Sequence, residues 1–412
     1  MIQREHYLER LRNLRDTNLI KVITGIRRAG KSTLFNQFQN ELRASGVSEK
    51  QIIYFNLEEI ENSILLDAYL LNDYIMKLVD KKKKNYVFLD EIQMVRGFER
   101  LVDSLFVKDF IDLYITGSNA YFLSSELATL LTGRYLEIYV SPFSFSEFLS
   151  GYVQNPADFK SKSEIFEDYM TYGGLPEALN LMNGGNKGET KNYITAVFNS
   201  IVEKDILKRK KVLSKTDFEL VTRFLLDSAG SIVSPNNIAR YMTSTGNKIN
   251  NETVKNYLSV LCDAFLFQKV QRYDIKGKKL LQTLNKYYTT DIGFITSILG
   301  KSAKIDRGHL LENIVFLELQ RRYKEISIGK NAETEVDFVV KDKERNTAYY
   351  QVSLTVRDAG TLARELRPLQ TISDHHPKYL ITLDPEEPTY NGIIQCNAIK
   401  WLLQSISLNN RQ

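Results

Sequence analysis

"LIKVITGIRRAGKSTLFNQFQNEL", residues 19–42, changes character twice within one short stretch. Residues 19–24 form an apolar run that reads as a strand, and from Lys31 the run "LFNQFQNEL" reads as a helix. Between them, Gly25, Gly30, Lys31 and Ser32 satisfy the pattern G-x-x-x-x-G-K-[ST]. Glycines at these places let the backbone curl so that its N–H groups face phosphate oxygens, and the following helix N-terminus adds positive potential. A glycine turn entering a helix can match the pattern by chance. A strand before it and a helix after it are the context that favours a phosphate cradle.

The whole loop is therefore expected to hold a nucleotide: Gly25, Ile26, Arg27, Arg28, Ala29, Gly30, Lys31, Ser32 and Thr33. Lys31 would reach the β- and γ-phosphates of ATP, the Ser32 hydroxyl would ligate Mg²⁺, and Thr33 would add a phosphate contact. Either Arg27 or Arg28 is expected to touch phosphate, the alternative being a solvated face. Downstream, "NYVFLDEIQ" is an apolar strand ending in Asp90 and Glu91. Asp90 at the strand's end would hold the Mg²⁺ shell, and Glu91 would polarise the attacking water as general base. A surface acidic pair is the competing reading. "YITGSNA" ends another strand at Asn119, where a side chain would orient that water, with Ser118 the rival candidate. Arg134 in "LLTGRYLEI" is expected either to neutralise charge on the γ-phosphate, in cis or across a subunit boundary, or to pair with Glu137.

At 412 residues the chain is too long for one ordinary core and suggests two to four domains of ~150 residues. Its composition, 43% hydrophobic and 25% charged, is that of a globular protein. The charged start "MIQREHYLERLRNLRD" does not read as a signal peptide, and no uncharged run is long enough to span a bilayer, so a cytoplasmic location without membrane contact is expected. Cys262 and Cys396 lack disulfide or zinc spacing and read as small buried hydrophobes. The net charge of +5 is uneven. From Lys208 to Thr290, fifteen Lys and Arg stand against six Asp and Glu, so one middle region is basic and the remainder is net acidic.

Short apolar strands alternate with helical runs through the first third, which predicts a parallel sheet covered on both faces. The expected division is an ATPase core over 1–150, a helical lid region over 151–206, a winged-helix module over 207–292 and an α/β domain over 293–412. Within the third part, "SPNNIARYM" and "NNETVKNYLSVLCDAFLFQKV" read as two capped helices, followed by an alternating pair that turns at Gly277. In a winged helix the second helix is the reader, here through Asn251, Thr253, Lys255, Asn256 and Ser259, while Lys276, Lys278 and Lys279 meet phosphate. Double-stranded DNA is thus a candidate partner over 234–286. Protein docking is the alternative, and "KRKK" at 208–211 reads equally as a solvated face.

"GIRRAGKST", "VFLDEIQ", "ITGSNA", "LTGRYLEI", "SFSEFL" and "YGGLPEAL" together resemble the prokaryotic AAA+-superfamily ATPases that carry a C-terminal domain of unknown function. "LLENIVFLEL" and "EVDFVV" extend the resemblance into the second half. It implies a sheet in which another strand lies between the phosphate-loop strand and the Asp90–Glu91 strand. "LTGRYLE" also resembles the hhGRxxE signature of related signalling ATPases, which adds weight to Arg134.

The last domain resembles a restriction-endonuclease-like core, with Glu312 on an opening helix and Asp337 on "EVDFVV". Nucleases of the PD-(D/E)-x-K type need an acid and a lysine on the next strand, where this chain has Gln351 and Ser353. A catalytically degenerate site is therefore expected. His309, His375 and His376 lack metal-ligand spacing and read as cap or loop residues.

The expected function is a Mg²⁺-dependent ATPase acting as a switch or remodeller, coupled to a DNA- or protein-binding module, with a homo-oligomer as the candidate assembly. The alternatives are an ATP-liganded nucleic-acid-binding regulator with negligible turnover and an ATP-regulated nuclease.

Overall fold

The computed structural model describes residues 2–119, 133–154, 159–208, 212, 214–300, 305–331 and 334–404. Beyond Lys208, the basic run at 208–211 lies outside the described residues. Two compact units divide the chain, residues 1–142 with 263–265 and residues 143–262 with 266–412. Among the described residues, no helix is long and apolar enough to cross a membrane.

The first unit runs α1 (Glu5–Leu14), β1 (Ile20–Thr24), α2 (Lys31–Ala44), β2 (Ile52–Asn56), α3 (Ala68–Leu78), β3 (Asn85–Asp90), α4 (Phe98–Phe106), β4 (Ile111–Gly117) and β5 (Tyr135–Tyr139). All five strands are parallel, in the order β2-β3-β4-β1-β5. β4 thus lies between the phosphate-loop strand and the strand that ends at Asp90. Every residue of β1, β3 and β4 is buried, while the edge strands β2 and β5 are only partly so. Continuous apolar strands follow from covering both faces of a parallel sheet with helices. α2 supplies one such cover, burying Leu34, Phe35, Phe38 and Leu42 at helical spacing, with Phe35 edge-on to Phe88 at 5.1 Å. A charge is tolerated inside this core because Lys21 pairs with Asp112, both fully buried.

The second unit opens with helices α5 (Phe145–Gly151), α6 (Lys162–Tyr172), α7 (Pro176–Asn183) and α8 (Lys187–Ser200), then α9 (Lys215–Asp227), β6 (Ile232–Val233), α10 (Pro235–Ser244), α11 (Asn251–Asp263), β7 (Phe267–Asp274) and β8 (Lys279–Thr289). It continues through α12 (Ile292–Leu299), α13 (Arg307–Arg322), β9 (Glu325–Asn331), β10 (Thr334–Lys341), β11 (Thr347–Val352), α14 (Ala359–Gln370), β12 (Lys378–Thr382), β13 (Thr389–Tyr390), β14 (Ile393–Asn397) and α15 (Ala398–Leu403). Asp291 ties two of these segments together. Its carboxylate accepts from the Gly174 and Gly293 N–H groups at 2.8 Å each, and a Cβ on Gly173 would fall 1.8 Å from Asp291 Oδ1. The glycines of "YGGLPEAL" are thus required by a close approach.

One mixed sheet carries nine strands in the order β13-β14-β12-β11-β10-β9-β7-β8-β6. The hairpin β7–β8 is not a free wing. β7 pairs in parallel with β9, Arg272 opposite Ile328 and Asp274 opposite Lys330, so the sheet runs straight across the boundary expected at 292. An unpaired β7 edge would leave a row of backbone groups exposed, and β9 covers it.

Candidate functional site

The phosphate loop leaves β1 through a glycine that nothing else can replace. Gly25 has φ 140°, and a Cβ there would sit 2.2 Å from the Val140 carbonyl oxygen. Gly30, at φ 97°, precedes α2, whose first turn has neither a side-chain cap nor an acidic residue. Its N–H groups are left for an anion. Ile26 and Ala29 are fully buried and offer only backbone to a ligand, whereas Arg28 is exposed with a left-handed φ of 67°. Lys31 is buried, and its ammonium donates to the Gly25 and Ile26 carbonyls at 3.0 and 3.3 Å. Beneath the loop, Arg4 donates to the Ala29 carbonyl at 3.1 Å and stacks over Tyr7.

Asp90 and Glu91 meet the loop from the end of β3. Lys31 Nζ lies 3.7 Å from Glu91 Oε1, and the Ser32 hydroxyl bonds to Asp90. Thr116 on β4 donates its hydroxyl to Asp90 and accepts the Glu91 N–H at 2.8 Å, while Tyr54 on β2 donates to Asp90 Oδ2 at 3.2 Å. Burial raises Asp90 above the usual aspartate range despite the Ser32 and Thr116 bonds. Burial pushes Glu91 upward too, but Lys31, Gln93, Arg27 and Ser118 outweigh it and hold the carboxyl below its ordinary value. Glu91 therefore stays anionic, as a base must. Its backbone is left-handed, φ 55°, a conformation that costs a non-glycine residue about 1–3 kcal/mol. The site's donor set is oxygen, from Ser32 and Asp90, which suits a hard cation such as Mg²⁺.

Ser118 and Asn119 follow the end of β4, both buried, and Ser118 hydrogen-bonds Glu91. Arg134 is elsewhere. Its carbonyl accepts from Ile20 N–H at the start of β1, at the opposite end of the sheet from the loop, about 16 Å away along five residues of strand. Its guanidinium pairs with Asp103 at 2.9 Å and lies over Phe106. The guanidinium thus stands away from the loop of its own chain and bonds Asp103 where a pairing with Glu137 was expected, while Glu137 Oε1 accepts from Thr24 Oγ1 at 2.5 Å. Thr116, Tyr54 and Arg4 went unread in the sequence because each reaches the site from a different element. Only the strand order would have singled out Thr116.

A second group of charges lies in the nine-stranded sheet. Lys286 Nζ on β8 is 2.9 Å from Glu312 Oε1, 3.0 Å from Glu335 Oε1 and 3.7 Å from Asp337 Oδ1. Tyr288 OH donates to Glu312 at 2.6 Å, and Asp337 Oδ2 accepts the Val352 N–H at 2.8 Å. Burial would discharge the ammonium, yet Glu312, Asp337 and Glu335 hold it charged, with a pKa above the ordinary lysine range. Burial and Glu312 push Asp337 well above the usual range against the pull of Lys286. Gln351 donates to Glu365 at 3.0 Å, and the Ser353 hydroxyl donates to the Thr355 carbonyl. No group of three or more His, Cys, Asp and Glu among the described residues is arranged to hold a metal ion.

The basic middle region is only partly available to a partner. Lys286, counted within it by sequence, is buried among these acids, whereas Lys255, Asn256 and Ser259 on α11 and Lys276, Lys278 and Lys279 at the hairpin turn are exposed. Asn251 and Thr253 are half-buried.

Two family models match the chain: an AAA domain over residues 17–149 and a domain of unknown function, DUF8612, over residues 163–305. An uncharacterized protein of Haemophilus influenzae is 38% identical over 408 residues, covering 98% of this chain and 99% of its own. An uncharacterized protein of Methanocaldococcus jannaschii is 29% identical, covering 84% of this chain and 78% of its own. In fold, a Walker-type ATPase of Pyrococcus abyssi superposes with a TM-score of 0.53 at 16% identity, over 73% of this chain and 96% of that one. With near-complete mutual coverage at 38% identity, the chain belongs to the family of the Haemophilus influenzae protein, and its N-terminal third is an AAA domain with a P-loop ATPase fold.

Proposed function

We propose that the chain hydrolyses ATP and uses the cycle as a molecular switch or remodelling device. One observation carries the reading: Lys31, Ser32, Asp90 and Glu91 converge at the carboxyl ends of β1 and β3, with Glu91 held anionic. Loop N–H groups and Lys31 would bind the phosphates, and Ser32 and Asp90 would hold Mg²⁺, which when bound neutralises phosphate charge. Glu91 takes the proton of the attacking water, and Ser118 and Asn119 keep that base and water oriented. Arg134 fits the role of a finger offered to a neighbouring copy, since its own loop is out of reach, and this favours a homo-oligomer.

The order α9, β6, α10, α11, β7, β8, with β6 paired to β8, supports the winged-helix reading, and the exposed lysines at the hairpin turn support contact with DNA phosphates. ATP turnover measured with and without double- and single-stranded DNA tests both parts. Stimulation by DNA is expected, and ATP binding with negligible turnover would favour the regulator instead. If the lysines meet phosphate, removing each of Lys276, Lys278 and Lys279 lowers the salt slope of DNA binding by about one unit. Salt-independent or absent binding would assign the module to protein docking.

A further inference from the structure

Besides Lys31 and Arg28, the phosphate loop carries Arg27, whose partner comes from the turn that follows β2. Arg27 Nη1 donates to Glu58 Oε1 at 2.8 Å, with side-chain exposures of 11% and 41%. Glu58 lies two residues beyond Asn56, the residue of β2 that pairs with Asp90 on β3. Arg27 is also close enough to Glu91 to act on its charge, alongside Lys31. It therefore stands at the same rim as the base, where the terminal phosphate of a triphosphate arrives. Arg28 is exposed, and Arg134 is at the other end of the sheet.

We infer that Arg27 contacts the γ-phosphate and that Glu58 is the acid this phosphate displaces, so that the pair distinguishes ATP from ADP. The inference rests on the ATPase reading above. The Glu58 carboxylate is 41% exposed, so water can take it up when it leaves Arg27. A terminal phosphate offers more charge than a carboxylate and two oxygens at the spacing of the guanidinium fork. A β-phosphate seated on the Gly30–Ser32 backbone offers Arg27 no such partner. Glu58 also opens a segment with its own local ties: Glu58 N–H donates to Asn56 Oδ1 at 3.2 Å, and Asn62 Nδ2 donates to the Asn56 carbonyl at 2.7 Å. Ile60 and Ile64 within it are 81% and 78% exposed. Release of Glu58 from Arg27 would remove one tie at the start of this surface segment.

Calorimetric titration of the full chain with ADP and with the non-hydrolysable triphosphate AMPPCP tests this, folding being checked by circular dichroism. Arg27→Ala is expected to weaken AMPPCP about tenfold and leave ADP within about twofold. Glu58→Gln, which removes the competing charge, is expected to tighten AMPPCP several-fold with ADP unchanged. Hydrogen exchange over residues 58–66 should quicken with AMPPCP in the wild type and not in Arg27→Ala. Equal weakening of both nucleotides in Arg27→Ala, or an unchanged ratio in both variants, overturns the inference while the ATPase reading stands. A wild type that binds neither nucleotide overturns both.

Discussion

Two of the buried lysines that face carboxylates behave in opposite ways, Lys31 at the phosphate loop and Lys286 in the nine-stranded sheet, 5% and 4% exposed. Lys31 spends its hydrogen bonds on two carbonyls of its own loop and stands 3.7 Å from Glu91. Lys286 has Glu312 and Glu335 within 3.0 Å and Asp337 behind them. Phosphate oxygens can replace carbonyl contacts at little loss, because both are acceptors and phosphate brings charge. Three acidic side chains around one ammonium leave nothing for an anion to gain, and the ammonium fills the place where a cation would sit. The same residue types therefore make a binding site in one unit and a cross-link in the other.

The largest expected contrast comes from removing each lysine. Lys31→Ala should lower turnover by about a hundredfold or more and cost less stability than the loss of Lys286, since it gives up two carbonyl bonds and one longer contact to Glu91. Lys286→Met should do the reverse. Stripping the cation from a buried pair costs about 3–5 kcal/mol of unfolding free energy, read by denaturant titration, with nucleotide affinity unchanged. Wild type should not cleave plasmid or single-stranded DNA with Mg²⁺ or Mn²⁺ and ATP, and Asp337→Asn should cost stability alone. Metal-dependent cleavage lost in Asp337→Asn would make the second cluster catalytic and break the comparison.

A smaller effect sharpens the first site. Arg134→Ala should lower turnover about tenfold with ATP affinity retained, because a finger acts on charge that appears in the transition state. Specific activity should then rise with protein concentration. A loss of folded protein instead would assign Arg134 to its bond with Asp103.

Much of the first unit was legible in the sequence because its signals are local. Apolar runs at 19–24, 85–90 and 112–117 are continuous, and the structure buries β1, β3 and β4 throughout. The loop residues 25–33 and the pair Asp90 and Glu91 are adjacent in sequence and could be read as motifs. Thr116, Tyr54 and Glu58 could not, since strand order and not sequence spacing brings them to the site. The bond of Arg134 to Asp103 was not legible either, because Asp103 lies on α4, far away in sequence.

In the second unit β9 went unread. Glu325, Gly329, Lys330 and Asn331 are poor strand formers, and β9 exists because β7 and β10 pair with it on either side. Lys286 counted as basic surface by composition, and only the fold shows it turned inward.

The central claim is that Glu91 is the base of an ATP-hydrolysing site, and phosphate release from saturating ATP with Mg²⁺ tests it most directly. Glu91→Gln should bind ATP as tightly as wild type and release phosphate about a hundredfold more slowly or less. Release by Glu91→Gln at the wild-type rate would contradict the assignment.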